Sequence, residues 1–305
     1  RDRLRSRGLG DVYKRQVKNP SQVGLLSAYY SVFTTPYNIE ILFATSSDNS
    51  NEVELYNNPI SYGGKGYTNP TQELVDAYET TKGYPIDDPR SGYDPENPYK
   101  GRDPRMEYSV AYNGLKFSGT PIETFVGGKD GLNKTPTATK TGYYMRKFID
   151  QNLDLSKDQK RRRPWILFRY AEILLNYAEA MNEYLDAPDQ SIYDAVNLIR
   201  KRAKIPQLNI RMNLSKEEMR ARIRNERRVE LAFEEHRFWD VRRWEEGQTY
   251  FNQPIHGMRI TMENEKASYE TFVVEERVFE PKMNYYPIPQ SELQKNSKLD
   301  QNPGW

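Results

Sequence analysis

The chain has 305 residues, of which 36% are hydrophobic and 29% are charged, so it is long enough to bury a substantial core as one large domain or two. It contains no cysteine, which excludes disulfides, cysteine-based zinc sites and a cysteine nucleophile. No apolar run approaches the ~20 residues of a membrane-spanning helix, and the mean hydropathy is −0.92. With 23 Tyr against 4 Trp, the composition suits surfaces that are both apolar and hydrogen-bonding.

The first sixteen residues differ from everything that follows. Arg1–Gln16 shows no helical or strand period, and it carries six Lys or Arg and two Asp, a net charge of +4. The whole chain is +2, so the remaining residues carry −2. We interpret residues 1–16 as a non-native tail that resembles translated adaptor sequence. Because this tail largely determines the basic pI of 8.4, the pI does not indicate nucleic-acid binding.

The next predicted elements are short. Pro20–Phe33 has a broad apolar surface typical of a helix, and Ile39–Phe43 indicates a buried strand or a helix end. Ala44–Tyr67 is polar and rich in Ser, Asn and Gly, which predicts a long loop. Asn69 is the expected cap of a helix that has Pro70 at its first position and ends at Gly83.

The stretch from Tyr84 to Ile149 predicts turns and small β elements. Its acidic residues could hold calcium, but their spacing matches no EF-hand loop, and Asp-Pro turns explain them better. These residues are Asp87, Asp88, Asp94 and Glu96. The alternation from Met106 to Phe117, interrupted by Asn113-Gly114, predicts a hairpin with a type I′ turn. Gly142–Ile149 also alternates as a strand does.

Two helices are predicted after this β region. Arg163–Leu185 begins with Pro164 and is apolar over most of its circumference, so it should pack on two neighbours. Ser191 starts a second helix, which Ile205-Pro206 stops. Two such helices joined by a short turn resemble one tetratricopeptide-type unit, which needs further helices to bury its faces.

The most informative helical pattern runs from Leu214 to Trp244. Ser215 and Glu218 form a capping box at its start. Its central stripe places Glu226 and Glu230 between apolar residues, and buried carboxylates need cationic partners. The expected structural ion network consists of Arg222, Glu226, Arg227, Glu230 and Arg237. The alternative is a glutamate pair in acid–base catalysis, but neighbouring arginines should keep both carboxylates ionised.

The remaining chain carries no recognisable catalytic motif. Tyr269–Phe279 resembles a strand, and Pro287–Trp305 resembles an extended tail pinned by Leu293, Leu299 and Trp305. No phosphate-binding loop, nucleophile elbow or histidine pair with ligand spacing occurs. We therefore expect no catalytic residue, no metal site and no cofactor.

Four segments, in the same order, resemble the SusD/RagB family of outer-membrane nutrient-binding lipoproteins. They are Pro70–Tyr78, Arg163–Ala180, Glu226–Trp244 (ERRVELAFEEHRFWDVRRW) and Tyr285–Trp305. The resemblance implies a mainly α fold of tetratricopeptide-like helical repeats with small β-hairpin insertions and long loops. It also implies that residues 17–305 are the C-terminal portion of such a domain, with the signal peptide and the lipid-anchor cysteine absent from this chain.

The resemblance further implies a function. Members of the family bind oligosaccharide or another nutrient at the cell surface without catalysis and pass it to a SusC-like TonB-dependent porin of the outer membrane. Two alternatives stay open, a surface glycan hydrolase and a tetratricopeptide-like scaffold that binds peptides.

A ligand site is expected within the loop Ala44–Tyr67. Sugar rings stack on aromatic side chains, and their hydroxyls need polar partners, both of which this loop offers. Family members commonly carry sugar-binding aromatics on loops before the helix matched by Pro70–Tyr78. The candidate ligand-binding residues are Asp48, Asn49, Asn51, Tyr56, Asn57, Tyr62 and Tyr67. The alternatives are a loop that buries its own tyrosines and one that faces the porin.

Overall fold

The computed structural model describes residues 23–46 and 49–305, and these residues are mainly helical. The ten helices of the described part are α1 (Tyr29–Thr34), α2 (Glu52–Asn57), α3 (Gln72–Ala77), α4 (Pro104–Ser109), α5 (Tyr170–Tyr184), α6 (Gln190–Ala203), α7 (Lys216–Glu230), α8 (His236–Arg243), α9 (Gly247–Tyr250) and α10 (Gln290–Lys295). The strands are β1 (Ile41–Ser46), β2 (Val110–Ala111), β3 (Lys116–Phe117), β4 (Thr120–Pro121), β5 (Tyr144–Met145), β6 (Pro164–Arg169), β7 (Ile255–Glu263) and β8 (Lys266–Glu275). The predicted tail, residues 1–16, and the start of the helix predicted from Pro20 lie outside the described residues.

The largest apolar cluster lies where α5 packs against both α6 and α7. Small alanines on α5 allow the neighbouring helices to approach closely. The cluster includes Ala171, Leu175, Ala178, Ile192, Val196, Ile199, Met219 and Ile223. This arrangement confirms the predicted mainly α class and the predicted pairing of two helices with a third stacked beside them.

The segment predicted as one helix from Arg163 to Leu185 contains a strand before the helix. Residues 164–169 form β6, which pairs antiparallel with β1, from Ser46 opposite Pro164 to Ile41 opposite Arg169. Proline is tolerated at the first residue of a strand, so its presence did not discriminate between the two elements. The helix α5 begins only at Tyr170, whose N–H donates to Glu40 O at 2.8 Å.

The long helix predicted up to Trp244 is interrupted. The capping box of Ser215 and Glu218 is present at the start of α7, as predicted. The helix ends at Glu230, because Phe233 and Glu235 adopt positive φ values of 65° and 66° before α8 begins. At the break between α7 and α8, Lys147 Nζ donates to the carbonyls of Glu230 and Ala232 at 3.0 and 2.8 Å. Such donors satisfy carbonyls that lose their helical partners.

The hairpin predicted from Met106 to Phe117 is wrong. Asp103 caps α4 with Pro104 in its first turn, so the first part of this alternating segment is helical. The short strand β2 pairs with β5 and not with the residues after Asn113-Gly114. Gly114 does have a positive φ of 80°, so the turn exists, but β3 and β4 form the hairpin that follows it.

Other helices and strands begin or end a few residues away from their predicted positions. Thr71, not Asn69, is the cap of α3, and this helix ends at Ala77, well before Gly83. Residues 266–275 form β8, which pairs with β7 along a long antiparallel hairpin. Of the three residues predicted to pin an extended tail, Trp305 does so, because its Nε1 donates to the carbonyls of Lys282 and Tyr285 at 3.0 and 3.1 Å. Leu299 is exposed, and the tail contains the short helix α10. None of the helices within the described ranges is long and apolar enough to cross a membrane.

Candidate functional site

Glu226 and Glu230 lie at the centre of a buried ion network. Glu230 is fully buried and accepts from Arg105 at 3.0 Å and from Arg169 at 2.7 Å, and it also pairs with Arg202. Glu226 accepts from Arg105 at 2.6 Å, so one guanidinium bridges both carboxylates. Arginines therefore hold both glutamates, as expected.

The arginines that hold them differ from those proposed from the sequence. Arg222 pairs with Glu79 at 2.8 Å, and Arg227 pairs with Asp240 at 2.6 Å. Arg237 lies over the ring of Tyr250, at 4.4 Å from its centroid. The partners of the two glutamates come instead from α4, β6 and α6, which pack against this end of α7.

The network favours a structural role for the glutamates over acid–base chemistry. Burial alone would raise the pKa of Glu230, but the charges of Arg202, Arg169 and Arg105 together lower this pKa well below its usual range. A carboxylate held ionised by three guanidiniums has no proton to donate at neutral pH. Burial also lowers the pKa of the nearby His236, which lies 3.8 Å from Glu172.

The predicted ligand segment contains an exposed aromatic surface. Tyr56 and Tyr67 stack with their ring centroids 5.6 Å apart and their planes 10° from parallel. Lys65 places its Nζ 5.0 Å from the centroid of the Tyr56 ring and 5.8 Å from that of the Tyr67 ring. The Tyr67 side chain is 62% exposed and that of Tyr56 is 37% exposed. We call Tyr56, Lys65 and Tyr67 the tyrosine platform.

Backbone contacts hold the tyrosine platform in place. The N–H of Tyr67 donates to Tyr56 O at 2.8 Å, and the N–H of Lys65 donates to Leu55 O at 2.9 Å. Between them, Gly66 has a φ of 53°, and a Cβ at this position would lie 2.6 Å from the Tyr144 ring. A side chain at this position would collide with Tyr144, so glycine is required where the segment returns beside α2.

A polar cleft of about 590 Å³ lies on the same segment. Its walls come from α2, from the turn that follows it and from residues 151–158, and they offer amides, hydroxyls and carboxylates. Polar lining residues are Asn51, Asn58, Ser61, Ser118, Gln151, Asn152, Asp154, Ser156 and Asp158. The Asn51 side chain donates to Asp158 at 2.9 Å, so the two walls are linked. This cleft can supply hydrogen-bond partners to a hydroxyl-rich ligand.

The candidate ligand residues occupy different environments. Asp48 lies outside the described residues, and Asn49 is exposed. The Tyr62 hydroxyl donates to Phe117 O at 2.6 Å and its ring packs on the Phe117 ring, so Tyr62 holds the cleft wall in place. Asn57 donates back to Val53 O at 2.9 Å. Of the predicted tyrosines, Tyr56 and Tyr67 are therefore the ones that present a ring surface to solvent.

Lys65 is not among the ligand-binding residues predicted from the sequence. Its position between two glycines and beside tyrosines was visible in the sequence, but the contact depends on the chain folding back onto α2. A second apolar surface was also missed, a cavity of about 180 Å³ with Trp165, Leu167 and Trp239 among its lining residues. Its parts come from β6 and α8, which are far apart in sequence.

The fold and this surface together define a helical-repeat protein in which one segment of the chain carries an exposed aromatic platform and part of a polar cleft. A model of the SusD family matches residues 31–305, so the chain belongs to the SusD family. It is similar to SusD-like protein P2 of Formosa agariphila, with 34% identity over 147 residues, which cover 46% of this chain and 26% of that protein.

Two solved structures from Bacteroides fragilis support this assignment. One is a SusD-like protein, with a TM-score of 0.77 and 29% identity, covering 93% of this chain and 59% of that one. The other is a SusD-like carbohydrate-binding protein, with a TM-score of 0.75 and 29% identity, covering 92% and 58% of the two chains. This chain thus spans about a quarter of the length of the curated relative and less than two thirds of each solved structure.

Proposed function

We propose that the chain binds a saccharide on the tyrosine platform, as part of a surface-exposed outer-membrane lipoprotein that passes nutrient to a SusC-like TonB-dependent transporter. Membership of the SusD family supports the class of function, and a similar structure is that of a carbohydrate-binding protein. The observation that carries the placement is the exposed, stacked pair of Tyr56 and Tyr67.

The chemistry of the platform suits a sugar ring. The C–H face of a pyranose packs on an aromatic ring, and two stacked tyrosines with a backbone-fixed spacing lose little freedom when they bind. The Lys65 ammonium lies over the Tyr56 ring, and both this group and the tyrosine hydroxyls can bind sugar hydroxyls. The polar cleft on the same segment would extend the contact to further sugar units.

The proposal includes binding without turnover. Glycosidases need two carboxyl groups across the scissile bond, one of them able to give up a proton. Glu226 and Glu230, the carboxylates that the sequence pattern singled out, are buried and paired with arginines. This supports a binder over the surface hydrolase that the sequence left open.

Calorimetric titration of a panel of neutral oligosaccharides against this chain tests the proposal. Tyr67→Ala should weaken binding at least about tenfold, which corresponds to ~1.4 kcal/mol of lost contact. Tyr67→Phe keeps the stacking surface and should retain most of the affinity. Tyr184→Ala removes a tyrosine that is 82% exposed at the end of α5 and serves as the matched control.

The outcomes separate the alternatives. If the parent and Tyr67→Ala are both folded and bind the saccharide with equal affinity, the ligand does not bind on the tyrosine platform. Release of new reducing ends during incubation would indicate a hydrolase, and retention of peptides in place of saccharides would indicate a peptide-binding scaffold. Co-purification of the complete lipoprotein with its transporter from outer membranes tests the proposed partner.

A further inference from the structure

A second pocket, lined by arginines, lies along α7. It has a volume of about 310 Å³ and is formed by one face of α7 together with residues of α8 and α9. Four guanidinium groups line it, together with Asn225, Tyr250 and two carboxylates. The arginines are Arg220, Arg224, Arg228 and Arg237, and the carboxylates are Glu217 and Glu246. We call this the arginine pocket.

Two of its arginines are neutralised by carboxylates. Arg220 pairs with Glu183 at 2.6 Å and approaches Glu217 at 3.7 Å. Arg224 pairs with Glu246 at 2.5 Å. The two acidic residues of the arginine pocket are therefore occupied, and neither is left to balance the remaining guanidiniums.

Arg228 and Arg237 have no carboxylate at ion-pair distance among the residues that the structure describes. Arg237 is held over the ring of Tyr250, which orients its guanidinium without neutralising it. The charges of Glu73 and Asp76 act on Arg228, but neither carboxylate forms an ion pair with it: Glu73 contacts His256 at 2.5 Å, and Asp76 accepts from Gln72 at 2.7 Å. The pocket thus carries two guanidiniums in excess of its carboxylates.

The environment of Arg228 makes this excess costly. Its side chain is half-buried, and this burial together with the positive charge of Arg237 lowers the pKa of Arg228 to about 10. The group is still charged at neutral pH, and a partly desolvated guanidinium without an ion-pair partner destabilises the folded chain. An anion entering the pocket would relieve that cost and gain charge-assisted hydrogen bonds.

We propose that the arginine pocket is a second binding site, which takes a tetrahedral oxyanion of the sulfate or phosphate type. Guanidinium forks match the geometry of such groups, and several forks can bind one tetrahedral anion together. The volume exceeds that of the anion alone, so the oxyanion can be an ester carried by a larger polar molecule. The pocket shares no lining residue with the polar cleft, so the two sites can be tested separately.

Thermal unfolding and calorimetry of this chain test the proposal with defined probes. Sodium sulfate and sodium phosphate should raise the melting temperature above that in sodium chloride of matched ionic strength. Glucose 6-sulfate, compared with glucose and with inorganic sulfate, distinguishes a sulfate ester on a sugar from a free ion. If glucose 6-sulfate binds more tightly than inorganic sulfate, the site takes an ester carried by a larger molecule. If the two bind with equal affinity, the site takes the free ion.

Variants distinguish a binding site from a structural arginine. Arg228→Met should weaken sulfate binding at least about tenfold, and without sulfate it should melt no lower than the parent, because it removes an uncompensated charge. Arg237→Gln should weaken binding while leaving Arg228 in place. Arg259→Met is the control, since Arg259 forms an exposed pair with Glu270.

Three results would overturn the proposal. One is an equal effect of sulfate and chloride on the melting temperature at matched ionic strength. Another is undiminished sulfate binding by both Arg228→Met and Arg237→Gln. The third is a lower melting temperature of Arg228→Met in the absence of sulfate, which would assign Arg228 a structural partner in the folded chain.

Discussion

At the scale of single residues, Glu230 is the most constrained side chain of the ion network. It has no exposed surface and binds guanidiniums from three different elements. Its backbone carbonyl also accepts from Tyr29 and Lys147, both at 3.0 Å. A buried ion pair is not in itself strongly stabilising, but removing one member leaves the others charged and unpaired.

We therefore expect Glu230→Ala to lower the free energy of unfolding by roughly 3–5 kcal/mol. The variant leaves Arg105, Arg169 and Arg202 without one of their shared carboxylates in a buried site. Urea denaturation at neutral pH measures the change. Glu270→Ala, which removes a carboxylate from the exposed pair with Arg259, is the control and should change stability by only ~0–1 kcal/mol.

The stability difference between the parent and Glu230→Ala should depend on pH, which provides a second test of Glu230. The pKa of Glu230 is lower in the folded chain than its ordinary value of 4.5, so its stabilisation is fully present above that pH. The stabilisation is lost as the pH falls through the lower folded value. The gap between the parent and Glu230→Ala should therefore narrow in acid, and a gap independent of pH would contradict the ionised network.

Sequence patterns anticipated which residues are important here but not which residues meet. The stripe on α7 identified Glu226 and Glu230 as buried carboxylates in need of arginines. Arg105 lies 121 positions from Glu226 and Arg169 lies 61 positions from Glu230, whereas the helical pattern relates only residues of the same helix. In the same way, the tyrosines marked residues 44–67 as a ligand segment, but this segment is not the long loop predicted, since it contains α2. The stacking of Tyr56 on Tyr67 depends on a backbone return that composition does not specify.

At the scale of elements, local signals predicted helix starts better than helix ends. The Ser215 capping box specifies the start of α7 because its two hydrogen bonds are made within four residues. The end of α7 depends on Lys147 and Arg169, which reach the freed carbonyls from distant segments. The strand β6 was missed for the same reason, since its partner β1 lies more than a hundred residues earlier.

The break between α7 and α8 gives a prediction of its own. Glu235 is exposed and has a φ of 66°, where a residue with a Cβ is strained. We expect Glu235→Gly to leave the free energy of unfolding unchanged or to raise it by up to about 1 kcal/mol. The same substitution at the exposed Glu217, inside the first turn of α7, should lower it by about 1 kcal/mol.

Urea denaturation of both variants measures the contrast between the two positions. Equal destabilisation by Glu235→Gly and Glu217→Gly would show that the positive φ at the break carries no strain. It would also favour the continuous helix that the apolar stripe predicts from Leu214 to Trp244.

At the scale of the whole molecule, the ion network joins elements that the apolar clusters leave separate. One cluster lies between α5, α6 and α7, and another packs α3, α4 and the β7–β8 hairpin against Val229. Glu226 and Glu230, on the helix common to both, bind arginines from α4, β6 and α6. The ion network therefore constrains how the two apolar clusters are oriented relative to each other. The packing within each cluster alone does not determine that orientation.

At the same scale, the surface of the molecule carries large apolar side chains that no described part of the chain covers fully. Trp165 and Leu167 of β6 are each 39% exposed, and Trp239 of α8 is 58% exposed, around one cavity. Contiguous exposed apolar surface of this kind binds hydrophobic dyes and promotes association. We expect residues 17–305, expressed alone, to bind 1-anilinonaphthalene-8-sulfonate and to self-associate with rising concentration.

The double variant Leu167→Gln with Trp239→Gln should reduce both dye fluorescence and association, because it removes two walls of that cavity. Leu198→Gln, at a position 48% exposed on α6 and outside this cavity, is the matched control and should change neither. Dye fluorescence and analytical ultracentrifugation over a range of concentrations measure the two effects. A monodisperse parent chain that melts cooperatively and does not bind the dye would show that this surface is not adhesive, and the expectation drawn from its exposure would then be wrong.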